Sequence, residues 1–137
     1  MATETGYDLD RFERLEIDPT AFGHQDHMRA AYAMLSRYDF LEACARYSAT
    51  IKSMAESVGA SAKFNATITI AFMSLIAERR SSANETNWDA FIASNSDLLE
   101  PGVLAPWYST ERLGSDLART QFLLPDRSAA TDKRPSH

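Results

Sequence analysis

The stretch 62–80, AKFNATITIAFMSLIAERR, decides the fold. Its centre, Thr67-Ile68-Thr69-Ile70, alternates polar and apolar as a half-buried strand does. The run around it contains no Gly or Pro and is far longer than a typical strand, which favours a helix over 62–80. Wound as a helix, it places Phe64, Ile68, Ala71, Phe72 and Leu75 in a main stripe, with Ile70 and Met73 apolar on the other side. A helix that is apolar nearly all round belongs at the centre of a bundle.

The flanking segments agree with that choice. Upstream, Asp39-Phe40-Leu41-Glu42 spells a capping box, an N-cap acid followed three residues later by Glu. Phe40, Cys44, Tyr47, Ile51, Met54 and Val58 then recur at alternating intervals of four and three, and Gly59 supplies a stop. Before it, FGHQDHMRAAYAML (22–35) opens a helix predicted over 22–37, entered through Pro19 and Thr20. Met28, Ala31, Tyr32 and Leu35 share its inner face. Downstream, a shorter helix is expected over 87–95, capped by Thr86 or Asn87. Pro101-Gly102 marks a turn. Thr110 can cap 111–113 and Ser115 can cap 116–122. Residues 7–17 read equally as a short helix or an extended arm. Residues 1–6 and 128–137 are polar and aperiodic and should fray. The expected architecture is all-α, a single domain over 7–127 built as a compact bundle of four to six helices.

Composition narrows the function. The 137 residues are 45% hydrophobic and 24% charged, with a net charge of −5 and a pI near 5.1. No basic face is available for nucleic acid. No apolar run reaches the ~18 residues of a membrane span. The start, MATETGYDLD, is acidic and lacks a signal-peptide apolar core, so a cytoplasmic location is expected. Six acidic residues stand against two arginines within 1–18, which concentrates the negative charge there. The single cysteine, Cys44, cannot form an internal disulfide and sits in an apolar stripe, so it reads as a small buried hydrophobe.

A set of motifs runs along the chain. They are F-x-H-x-x-H-x-R at Phe22, His24, His27 and Arg29; Glu42-Ala43; Thr67-Ile68-Thr69 through Glu78-Arg79; Trp88, Phe91, Asn95 and Asp97-Leu98-Leu99; and Leu124-Pro125-Asp126-Arg127. In these the chain resembles a group of small, largely uncharacterised bacterial all-helical proteins, over about residues 22–127. The resemblance implies a helical fold and carries no reaction with it. The group tends to have a histidine where this chain has Asn65.

The candidate chemistry starts at His24 and His27. Three residues apart on a helix, their rings can reach one point, which suits acid–base work or two ligands to a transition metal. The four-residue spacing of H-E-x-x-H is absent, as are a P-loop, a dinucleotide glycine fingerprint, a G-x-S-x-G elbow and the paired Glu-x-x-His of di-iron bundles. The remaining histidine is His137, the last residue. On the 62–80 helix, Thr67, Ala71, Ser74 and Glu78 form one edge, and Asn65 and Thr69 the other. Glu78 is a candidate general base or third metal ligand beside the histidines, or else one half of an ion pair with Arg29 or another arginine. Arg29, Asn65, Thr67 and Thr69 are candidate substrate contacts, though Arg29 equally reads as a tie between helices. Trp107 and Tyr108 could wall a pocket or plug the end of the bundle, and Asp126-Arg127 reads as a clamp on the tail.

Two functions stay open at this level. One is an enzyme or binding protein for a small metabolite, with a pocket between the 22–37 and 62–80 helices. The other is a non-catalytic interaction module or homodimer, docking through the acidic arm or through Ile70 and Met73.

Overall fold

The structure is a computed structural model that describes residues 9–82 and 87–127. The termini expected to fray and the capping candidate Thr86 lie outside the described residues. Among the described residues seven α-helices follow one another: α1 (Leu9–Glu13), α2 (His24–Arg37), α3 (Phe40–Ser57), α4 (Ala66–Ser81), α5 (Trp88–Ser94), α6 (Thr110–Leu113) and α7 (Asp116–Thr120). Short 3-10 turns at Pro19–Ala21, Ser61–Lys63 and Ser96–Leu99 link them, and no strand occurs among the described residues. The all-α, single-domain reading is correct. No described helix is long and apolar enough to cross a membrane.

The ambiguous 62–80 run is a helix from Ala66 onward. Asn65 starts it, its side-chain oxygen accepting from the Ile68 N–H at 2.9 Å. The Thr69 hydroxyl donates back to the Asn65 carbonyl at 2.7 Å, which holds a β-branched residue in the first turn. The helix starts four residues later than the pattern predicts because Asn65 is a strong N-cap and Ser61–Lys63 forms its own turn.

The other boundaries follow the same local chemistry. Asp39 accepts from Glu42 N–H at 3.0 Å, and Asn87 accepts from Ala90 N–H at 2.9 Å. Ser115 accepts from Ala118 N–H at 3.1 Å. Ser109, not Thr110, caps α6. Beyond α3, Gly59 adopts φ +71°, with Gly59 N–H bonded to Glu56 O and Ala60 N–H to Ala55 O. This paired arrangement closes the helix through a left-handed residue.

The centre of the bundle is α2, not α4. Met28 and every residue from Ala30 to Leu35 are buried, and α2 touches α1, α3, α4 and the Ser96–Leu99 turn. Its alanines let neighbouring helices approach on several sides, which no apolar-stripe count reveals. The face of α4 that enters the core is Met73 and Ile76, both fully buried, with Ile70 packed against them. The expected main stripe, Ile68, Ala71, Phe72 and Leu75, is only half-buried. The docking surface proposed at Ile70 and Met73 is therefore part of the core.

Residues 9–13 are a packed helix. Phe12 is fully buried, its ring 5.6 Å from that of Phe22 and 5.9 Å from that of Tyr47. The acidic character of this segment is largely matched internally. Arg37 pairs with Asp10 at 2.7 Å and Glu13 at 3.2 Å, and the Tyr38 hydroxyl donates to Glu13. The Arg37 guanidinium holds the Asp10 carboxyl below its usual range. On the far side, Tyr32, Trp88 and Phe91 form an aromatic knot, with Arg80 lying 5.0 Å over the Tyr32 ring. The tail returns along α4. Asp126 accepts from the Ser109 N–H and hydroxyl at 2.8 and 2.7 Å, which makes it the expected clamp.

Candidate functional site

The F-x-H-x-x-H segment resolves into separate local roles. Gly23 is the N-cap of α2, and its N–H donates to the Asp26 carboxylate at 2.9 Å. Phe22, just before the cap, meets His27, four positions into the helix, ring to ring at 4.8 Å. This is the geometry of a hydrophobic staple, with histidine where an apolar side chain is usual. His24 turns to the Ser96–Leu99 turn. Its Nε2 lies 3.1 Å from the Leu98 carbonyl, and its ring rests 5.6 Å from Phe72. A carbonyl only accepts, so Nε2 carries the proton and Nδ1 is the nitrogen left over.

His27 differs from His24 in one respect. Neither of its ring nitrogens has a hydrogen-bond partner among the described residues, although its main-chain carbonyl accepts from the Tyr47 hydroxyl at 3.1 Å. Burial pushes its imidazole below the ordinary 6.5, with the charge of His24 adding to the effect and Asp26 opposing it. At neutral pH it is an uncharged imidazole with both a lone pair and an N–H unspent.

That ring lines a cavity of about 370 Å³ between α2, α3 and the start of α4. Met28, Tyr47, Ile51, Phe64, Ile68 and Phe72 make the apolar walls, while His24, His27, Lys63, Asn65 and Thr69 supply the polar atoms. A second hollow of about 370 Å³ shares His27, Ile51, Lys63 and Phe64 with it and continues to Phe22, Met54 and Val58. Size and lining match a small-molecule site, mostly apolar with a few convergent polar groups. Lys63 stands at the junction of both hollows, and among the described residues no carboxylate pairs with its ammonium. No spacing or motif singles out Lys63. It becomes visible only when α3 and α4 fold over the turn that carries it.

The remaining expected site residues separate. Asn65 lines the cavity, but its side chain is committed, capping α4 and donating to Leu113 O at 2.7 Å. Thr69 also lines it, with its hydroxyl proton spent on Asn65 O. Thr67 does not reach it. Fully buried, its hydroxyl donates to Gln121 O at 2.7 Å and accepts from Leu123 N–H at 3.0 Å, tying the tail to α4. Arg29 is half-buried and is not among the cavity-lining residues. Glu78 lies six residues past Phe72, about 120° further round α4, and lines a different cavity. It forms no ion pair with Arg29 or any other described residue. The expected grouping of Glu78 and Thr67 with the histidines is thus corrected. Of the donors a transition metal needs, two imidazoles line one cavity, and no group of three His, Cys, Asp or Glu side chains stands together among the described residues.

Comparison with protein-family models, curated proteins and solved structures finds no match to this chain.

Proposed function

We propose that this protein binds a small metabolite with an apolar body and an anionic group in the cavity between α2, α3 and α4. His27 is its acid–base residue and Lys63 its counter-charge. The observation that carries the reading is the His27 imidazole, held neutral by burial in a largely apolar wall and without a hydrogen-bond partner for its ring among the described residues. A structural histidine normally spends its nitrogens on protein acceptors, as His24 does on Leu98. The unspent nitrogens of His27 fit a ligand atom instead. The chemistry they support is removal of a proton from a bound ligand, because a neutral imidazole is a base near pH 7 and the imidazolium it forms can return that proton. Lys63, on the shared wall, sets the sign of the ligand.

The test is a nuclear magnetic resonance titration with small aryl and alkyl carboxylates and their neutral amides. Carboxylates should shift resonances of Ile51, Ile68 and Phe72 saturably. Lys63→Met should weaken binding about tenfold, one charge-assisted contact being worth roughly that much, and His27→Gln should weaken it as well. Unchanged affinity in the double variant His24→Ala/His27→Ala would overturn the reading.

A further inference from the structure

A second cavity, on a different face of α4, carries an independent assignment. It holds about 210 Å³ between the C-terminal half of α4 and the returning chain. Trp107, Tyr108 and Phe122 line it, with Leu75 and Pro125, and Glu78 is the one carboxylate in its lining.

Three properties fix what it can hold. First, the Glu78 charge is unmatched among the described residues. Arg79 and Arg80, its neighbours in sequence, are committed elsewhere, Arg79 to Asp97 and Asn95, Arg80 to the Leu35 carbonyl and the Tyr32 ring. Glu78 itself pairs with no described residue. Second, none of the three rings stacks on another aromatic ring among the described residues, unlike Phe12, Tyr32, Trp88 and Phe91 in the core. Third, the Tyr108 hydroxyl is consumed by Leu123 O at 2.8 Å, so its ring, not its hydroxyl, is what remains to offer. The nearby Arg112 donates its Nε to Leu124 O at 2.7 Å, and Asp126, its carboxyl held below the usual range chiefly by the Ser109 hydrogen bonds and lastly by Arg112, lies close by.

Aromatic rings attract cations through the negative potential of their faces, and an adjacent carboxylate adds to that attraction. An anion would meet Glu78 with repulsion. A neutral apolar guest would cover the rings and gain nothing from the exposed carboxylate at the rim. We infer that the Glu78 cavity is a binding site for a small organic cation of the alkylated ammonium class. It does not depend on the His27 site, and the two cavities have no lining residue in common.

The experiment is titration of the full chain with tetramethylammonium chloride, following the Trp107 indole N–H by nuclear magnetic resonance, with sodium chloride at matched ionic strength as reference. Neopentyl alcohol, a neutral guest of similar shape, is the second probe. The expected result is a saturable shift of the Trp107 signal, with the buried Trp88 signal unmoved. Glu78→Gln, at an exposed position that tolerates the change, and Trp107→Leu should each weaken binding about five- to tenfold. Absence of a saturable shift, equal affinity for the neutral alcohol, or a Glu78→Gln variant that binds as wild type does would each overturn the assignment.

Discussion

Replacing Thr67 by valine separates a structural hydroxyl from a ligand-binding one. Valine keeps the shape and removes only the hydroxyl, which donates to Gln121 O and accepts from Leu123 N–H. Gln121 is exposed, so its carbonyl recovers a partner from water. Leu123 is buried, and its amide is left without one. An unsatisfied buried donor costs about 1–3 kcal/mol, and the second lost bond about 1 kcal/mol or less once water replaces it. The expected destabilisation is about 2–3 kcal/mol. With a urea dependence of roughly 1–3 kcal/mol/M for a small domain, the unfolding midpoint should fall by about 1–2 M. Hydrogen exchange at the Leu123 amide should accelerate more than that of amides in α2. Thr67→Ser, which keeps both bonds and loses one methyl, should cost about 1 kcal/mol. Ligand binding in the His27 cavity should be unchanged in both variants. A Thr67→Val variant within about 0.5 kcal/mol of wild type, below the worth of one net hydrogen bond, or one costing less than Thr67→Ser, would refute the reasoning.

Other perturbations have equally definite outcomes. Gly59→Ala should cost about 1 kcal/mol in urea denaturation, because its Cβ would meet no atom within 4 Å and the penalty is that of φ +71° alone. Gly102→Ala, equally open and without a positive φ, should be neutral or slightly stabilising. Phe12→Ala should lose about 3–5 kcal/mol, as fully buried aromatics do, and lower the thermal midpoint accordingly. The folded-state pKa of His27 lies below 6.5, so the unfolded chain takes up that proton first. Stability should therefore fall as pH drops from about 6.5 through the lowered folded value, level off below it, and lose that slope in His27→Leu. At pH 7 the same variant should be about 1 kcal/mol more stable than wild type, since it removes an unpartnered polar ring from an apolar wall.

What was legible in the sequence is what is decided within a few residues. Asp39, Asn87, Ser115 and Gly59 mark helix ends through bonds to their own neighbours, so their identity and spacing suffice. The one-residue error at α6 arose because Ser109 and Thr110 are equally good caps, and Asp126, seventeen residues away, holds Ser109. Burial on α4 was not legible. A helix apolar on every side gives its wheel no preferred direction, and only the packing of α2, α3 and the tail selects Met73 and Ile76. The role of Thr67 is hidden for a related reason. Its partners lie 54 and 56 residues downstream, on a segment with no periodicity to announce its path. Trp107 and Tyr108 do wall a cavity, but it is the one that holds Glu78 and not the histidines.

The two histidines show how a motif can be explained locally and still point to function. Gly23 and Asp26 begin α2, Phe22 and His27 staple the entering chain, and His24 fastens the helix to Leu98. Each role is structural, and together they account for most of the spacing. A residue chosen for the staple alone would be leucine or methionine, which pack on a ring without a desolvation penalty. Histidine at this position gives up part of that stability, because burial opposes its charge and no described protein group takes its nitrogens. Local rules are broken chiefly where something other than folding is served. His27 breaks one, at the wall of a roughly 370 Å³ cavity and beside Lys63, which no carboxylate among the described residues pairs with. A ligand in the cavity would supply the missing partner and offset that cost. A stabilised, non-binding His27→Leu variant is therefore the expected signature of this site, and a destabilised one would return His27 to the staple.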